Sequence, residues 1–118
     1  MSASPVSIHP YFKVNAGQMP AAAALIPRFI ERTKSEAGVL WYEFTRSGDS
    51  VFCREGYRDG EAALAHLTNV DALLKEMLAI STIERLEFHG PAAELAKLRE
   101  PLKDLPVVWY DLVDRLEH

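Results

Sequence analysis

Cysteine is almost missing from this chain. With Cys53 alone among 118 residues, no internal disulfide and no cysteine-built metal cluster is possible. Nothing in that usage argues for secretion. An excess of basic residues is missing too. The net charge is −4 with acids and bases well mixed, and no basic stripe suggests a nucleic-acid partner. The opening MSASPVSIHP has neither a charged n-region nor an apolar h-region, so it does not read as a signal peptide. No apolar run approaches the roughly 20 residues of a membrane span. Solenoid repeats and low-complexity tracts are lacking, apart from the short Ala21–Ala24 run. The motifs CxxC and HExxH do not occur, so no metal is assigned. The expectation is a single soluble, cytoplasmic domain over residues 1–118.

What is present is an apolar fraction of 48%, enough for a core, and a clear change of rhythm along the chain. Met1–Pro5 is expected to fray. Val6–Asn15 alternates as a first strand, with Ile8, Pro10, Phe12 and Val14 on one face and His9, Tyr11 and Lys13 on the other. Pro10 is its weak point, because proline cannot donate to a ladder and prefers an edge or a bulge. Pro20 suits the first turn of a helix. Ala22, Ile26, Phe29, Ile30 and Thr33 form that helix's expected buried face, and Glu31, Arg32, Lys34 and Glu36 its outside. Pro27 is expected to kink it and Gly38 to end it.

The stretch Gly38–His66 is the most informative. Val39–Arg46 and Val51–Arg58 are rich in β-branched and aromatic residues and flank a Ser-Gly-Asp-Ser turn, the pattern of a hairpin. Asp59 then caps a helix to about Asn69, and a continuation follows over Val70–Ala79. Ala63, Leu67, Val70, Leu74, Met77 and Leu78 form its apolar stripe. Thr82–His89 alternates as a fourth strand, Pro91–Arg99 is a short helix, and the tail Val107–Leu116 starts extended. The order β-α-β-β-α-β is the ferredoxin-like α+β arrangement, an antiparallel sheet with helices on one face. The other face, with His9, Tyr11 and Lys13, is too aromatic to leave wet. It predicts a homodimer closed sheet to sheet.

The segments Phe12–Gly17, Gly38–Tyr42 and Cys53–Asp59, with Ala62, Ala63 and His66, resemble the antibiotic-biosynthesis-monooxygenase domain of the dimeric α+β barrel type. The resemblance runs from about Ile8 to Gly90. It implies a pocket in each subunit between sheet and helices, and activities that range from cofactor-free oxygenation of aromatic polyketides and quinols to haem degradation and sugar isomerisation. By the resemblance, Glu55 stands at the family's strand glutamate, Tyr57 where many members have tryptophan, and His66 at the first helical histidine. The second histidine of many relatives is Asp71 here, and the haem ligand of the degrading branch falls near Glu76. No histidine lies between Asn69 and Phe88, which argues against haem ligation of that kind.

The candidate catalytic residues are therefore His66, Glu55 and Tyr57, which a strand-to-helix junction brings close. His66 is read as a general base, since imidazole titrates near neutral pH. A structural histidine bonded to Glu55 or to a carbonyl explains the same position. Glu55 shares a strand face with Cys53 and Tyr57 and is read as the carboxylate that orients His66. A salt bridge, to Arg85 for instance, is the plainer alternative. Tyr42, Cys53, Asn69 and Leu73 complete a substrate-binding set, although Tyr42 and Cys53 also read as ordinary core residues. The leading function is a cofactor-independent monooxygenase on a small phenol- or quinol-type substrate, with no cofactor. The alternatives are a non-catalytic small-molecule-binding or assembly domain and an isomerase of small hydroxyketones.

Overall fold

In the computed structural model, which describes residues 5–116, strand and helix rhythms translate into a five-stranded sheet with helices on one face. The elements are β1 (Val6–Val14), α1 (Met19–Thr33), β2 (Val39–Ser47), β3 (Ser50–Tyr57), α2 (Gly60–Asn69), α3 (Asp71–Ala79), β4 (Ser81–Gly90), α4 (Ala92–Arg99) and β5 (Val107–Asp111). The strand order is β2-β3-β1-β4-β5. Among the first four strands every neighbouring pair is antiparallel, as the ferredoxin-like reading requires, and β5 adds a parallel edge to β4. The expectation for Met1–Pro5 falls, except for Pro5, outside the described residues.

Alternation decides what the sheet buries. Val6, Ile8, Pro10, Phe12 and Val14 turn toward the helices, while Lys13 on the other row is exposed. Pro10 sits in the central strand. Pairing between β1 and β3 lapses at His9 and Pro10, opposite Cys53 and Arg54, and β1 slips register against β4 between Tyr11 and Phe12. A residue without an N–H is thus accommodated by leaving the ladder open beside it.

Three details of the helices differ from expectation. In α1 the buried row is Ala22, Leu25, Phe29 and Thr33, and Ile30 is exposed. These residues stay within one helical stripe, whereas Ile30 lies a further 100° round from Phe29. The helix ends at Thr33 and runs through Pro27. Gly38 therefore does not terminate it. Gly38 lies where β2 approaches α2, and a Cβ there would sit 2.5 Å from the Ala62 methyl. Along α2, the linking Val70 and α3 the buried positions are Gly60, Ala63, His66, Val70, Leu73 and Met77, so Ala63, Val70 and Met77 of the expected stripe are buried while Leu78 faces outward in part.

Local chemistry explains the junctions. Gly48 holds φ +59 in the β2–β3 turn, a conformation open to glycine. Asp59 caps α2 by accepting a 2.8 Å bond from the Ala62 N–H. The Gly60 N–H donates to Glu94 of α4 at 2.9 Å, which ties the start of α2 to the C-terminal helix. The core has two halves. One gathers Val6, Ile8, Tyr57, Phe88, Leu95 and Leu98, and the other Phe12, Val14, Phe29, Val51, Val70 and Met77.

Replacing Gly38 by alanine is expected to destabilise the protein by about 1–3 kcal/mol, because neither methyl can rotate away from the other. Denaturant unfolding of Gly38→Ala measures this, and an unchanged midpoint would refute the close-packing role.

Candidate active site

Between the two halves of the core lies a cavity of about 270 Å³, walled by the helix-facing row of the sheet and by α2 and α3. Most of its lining is apolar, including Phe12, Phe29, Phe44, Val70, Leu74 and Phe88. Against that lining stand His66 from α2, Glu55 and Cys53 from β3, and Tyr42 from β2. The open stretch of the β1–β3 ladder runs past Cys53, at the same place.

His66 is 2% exposed and held at both nitrogens. Its Nδ1 lies 2.9 and 3.1 Å from the two carboxylate oxygens of Glu36. Its Nε2 lies 3.4 Å from Oε1 of Glu55. The Tyr57 hydroxyl donates to that same Glu55 oxygen at 2.6 Å. Tyr42 and Tyr57 flank the imidazole, with ring centroids 5.1 and 5.0 Å away. A carboxylate only accepts, so the Glu36 side fixes the proton on Nδ1 and leaves the Nε2 lone pair toward Glu55 and the cavity.

Glu36 is the residue that sequence reasoning missed. In the sequence it reads as part of the outside of the first helix, yet it follows the helix end, in the segment leading to β2, and turns inward. Asn69 fastens it there, donating to Glu36 Oε2 at 2.7 Å and to the Arg32 carbonyl at 3.0 Å. The local clue, a carboxylate just before Ala37-Gly38, looks like any solvated charge. Glu36 and His66 are 30 positions apart, and no motif links them.

Burial dominates the titration of the site. Desolvation pushes Glu55 up to about 7, with the nearby Glu36 charge adding to the rise and the bonds from Tyr57 and Cys53 opposing it. Desolvation lowers His66 below its ordinary value, against the pull of Glu36. Tyr42, Tyr57 and the Cys53 thiol are all raised, chiefly by burial, and stay protonated at neutral pH. The arrangement is therefore a neutral imidazole base next to a carboxyl group poised near neutrality, with a phenol behind it. That pairing can remove one proton and deliver another within a few ångströms.

Not every predicted site residue reaches the cavity. His66, Glu55, Tyr42 and Cys53 line it. Tyr57 stands behind Glu55 and acts on it through the hydroxyl. Asn69 and Leu73 do not line it. Asn69 is occupied by Glu36 and Arg32, and Leu73 packs toward α1, beneath an open depression that Arg28 and Glu76 span with paired bonds of 3.0 and 3.1 Å. Glu55 bonds Tyr57 and His66, while Arg85 is engaged by Glu87 and Tyr110 on the opposite sheet face. No group of three or more potential metal ligands is gathered among the described residues. None of the helices described is long and apolar enough to cross a membrane.

A ferredoxin-like sheet with helices on one face is the fold of proteins of the antibiotic-biosynthesis-monooxygenase type. Two bacterial structures provisionally called antibiotic biosynthesis monooxygenases share the fold. The protein from Chloroflexus aurantiacus J-10-fl is 18% identical, with 75% of this chain and 94% of that one covered and a TM-score of 0.62. The protein from Caulobacter crescentus CB15 is also 18% identical, with 73% and 88% covered and a TM-score of 0.66. MupZ from Pseudomonas fluorescens is far more similar. It is 35% identical across 98% of this chain and 95% of its own, with a TM-score of 0.92. The chain belongs to the family of MupZ, and it shares the fold of the two proteins provisionally called antibiotic biosynthesis monooxygenases. No protein-family model and no curated protein matches it.

Glu55 supplies a direct test of the buried cluster. Its native carboxyl keeps a proton that the unfolded chain gives up, so its contribution to stability is complete below about pH 4.5 and is lost as pH rises through about 7. Glu55→Gln cannot ionise. Its stability relative to wild type is expected to climb between about pH 5 and pH 8, by up to about 3 kcal/mol. Urea unfolding across that range measures the difference, and a pH-independent difference would contradict the raised carboxyl.

Proposed function

We propose that the protein is an enzyme that binds a small, mostly apolar molecule in this cavity and takes a proton from it with His66. The reading favoured first is a cofactor-independent monooxygenase acting on a phenol- or quinol-type substrate. His66 Nε2 removes the phenolic proton, and the resulting electron-rich anion reacts with O2. One oxygen atom enters the ring, the other leaves as water, and the substrate supplies the electrons. Glu36 holds the imidazole in the Nδ1–H form, Glu55 and Tyr57 receive and return protons, and Tyr42 and the phenylalanines grip the ring. The single observation that supports this is the imidazole at the cavity wall with a carboxylate on its far nitrogen. The fold shared with two proteins provisionally called antibiotic biosynthesis monooxygenases is consistent with it.

A second reading has its own support. A carboxyl raised to about 7 beside a neutral imidazole is an acid–base couple, which is more than a lone oxygenase base requires. Such a couple suits a redox-neutral proton relocation, as in isomerisation of a small hydroxyketone.

The proposal includes a homodimer. On the sheet face away from the helices, the Tyr11 and Phe52 rings stack at 4.6 Å, His9 meets His89 at 4.6 Å, and His89 stacks on Tyr110 at 4.3 Å. A second sheet would cover these rings and seal the far side of the site-bearing layer.

Oxygen uptake with a panel of quinols and naphthacenone-type phenols is expected, with His66→Ala slower by at least about a hundredfold. No uptake across the panel would sink the oxygenase reading. The pH profile separates the two chemistries. A rate that holds above pH 7 needs the base alone, whereas a fall above about pH 7 means that protonated Glu55 is required. Sedimentation equilibrium is expected to give a dimer for wild type and a monomer for Tyr11→Glu, and a monomeric wild type would end the sheet-to-sheet assembly.

A further inference from the structure

The cavity is not uniform along its length. His66, Val70, Leu74 and Leu78 recur every four residues on the α2–α3 wall, with Leu67, Asp71 and Lys75 in the adjacent row. This wall crosses the junction of α2 and α3 at Val70 and reaches from the buried His66 to the part-exposed Leu78. Polarity changes along it in three steps. The inner end carries His66 and Glu55, backed by Glu36. The middle is Val70, Leu74 and the aromatic sheet residues. Beyond it Lys75 stands exposed at the rim and reaches back one turn to Asp71 at 3.0 Å, the two side chains being 77% and 62% exposed.

These features dictate how a charged ligand must lie. An anion is disfavoured at the inner end, where Glu36 already takes the imidazole N–H, Glu55 is itself too buried to ionise readily, and no further cation lines the wall among the described residues. Among the described residues lining the cavity, Lys75 is the only basic one besides His66, and it stands nine positions further along the α2–α3 wall. Its bond to Asp71 is an exposed helical pair of the weak kind, easily exchanged for another carboxylate. Exposed Leu78 and Leu105 border the same opening and can cover a carbon chain as it emerges.

We infer that the cavity takes an elongated amphipathic acid: a carbon skeleton whose reacting oxygen function lies at His66 and Glu55 and whose carboxylate stays at the rim on Lys75. This names the substrate class for the proposed site and rests on that site being where substrate binds. It requires no particular chemistry there, so binding and turnover can fail separately.

Octanoate and octan-1-ol, equal in chain length and different in head group, are the probes, titrated calorimetrically at neutral pH. Wild type is expected to bind octanoate about fivefold tighter than the alcohol, the scale of one rim ion pair. Lys75→Glu is expected to abolish or invert that preference with little change for the alcohol. Asp71→Asn is expected to strengthen octanoate binding by removing the competing carboxylate. Lys34→Glu, an equal charge change on the distant end of α1, should leave the preference intact. Equal binding of the two probes, failure of both to bind, or a preference that survives Lys75→Glu would each overturn the inference. An enzyme that shows the preference yet turns over no phenol would contradict only the oxygenase reading.

Discussion

Two carboxylates share one imidazole inside an otherwise apolar layer, and that constraint governs the site. Glu36 and Glu55 approach His66 from opposite nitrogens. Burial in a medium that solvates charge poorly pushes Glu55 up to about 7, and the nearby Glu36 charge adds a smaller rise. Every neighbouring group then serves the arrangement. Tyr57 satisfies Glu55, Asn69 and the end of α1 hold Glu36, and the two tyrosine rings confine the imidazole. A buried polar network of this kind is tolerable only when each member has its partner.

The sheet makes room for that network. Pro10 in the central strand leaves the β1–β3 ladder unpaired next to Cys53, and the cavity opens on the same side. Elsewhere the layer is filled by ordinary core packing in two clusters. Leaving a ladder bond unmade and keeping a cavity both cost stability, and such costs commonly collect at functional positions. The sheet positions Glu55 and Tyr57 on one pleated face, while α2 and α3, joined at Val70, line the cavity from the buried imidazole to the exposed Lys75.

Much of this was legible in the residues. Alternation in Val6–Val14 identified the buried face of β1, because period two is what a half-buried strand imposes. The Asp59 cap located the strand-to-helix junction, and from it the meeting of Glu55, Tyr57 and His66 followed. The rotation of α1 was harder to read. Ile26, Phe29 and Ile30 are all apolar, and only the packing of Leu25 against the sheet side decided which stripe was buried. Asn69 and Leu73 share a helical side with His66, but the partners available to each drew them away from the cavity.

By itself the sequence determined the element order, the antiparallel core and the candidate base, since these depend on local periodicity, capping and turn chemistry. Tertiary structure alone decided which carboxylate holds the imidazole, where the cavity lies and how its polarity runs. The reason is distance along the chain: Glu36 and His66 stand 30 residues apart, and their bond exists only once α1 and α2 pack on the same face of the sheet. A charge that looks solvated in one dimension becomes buried when the segment carrying it is folded over a helix.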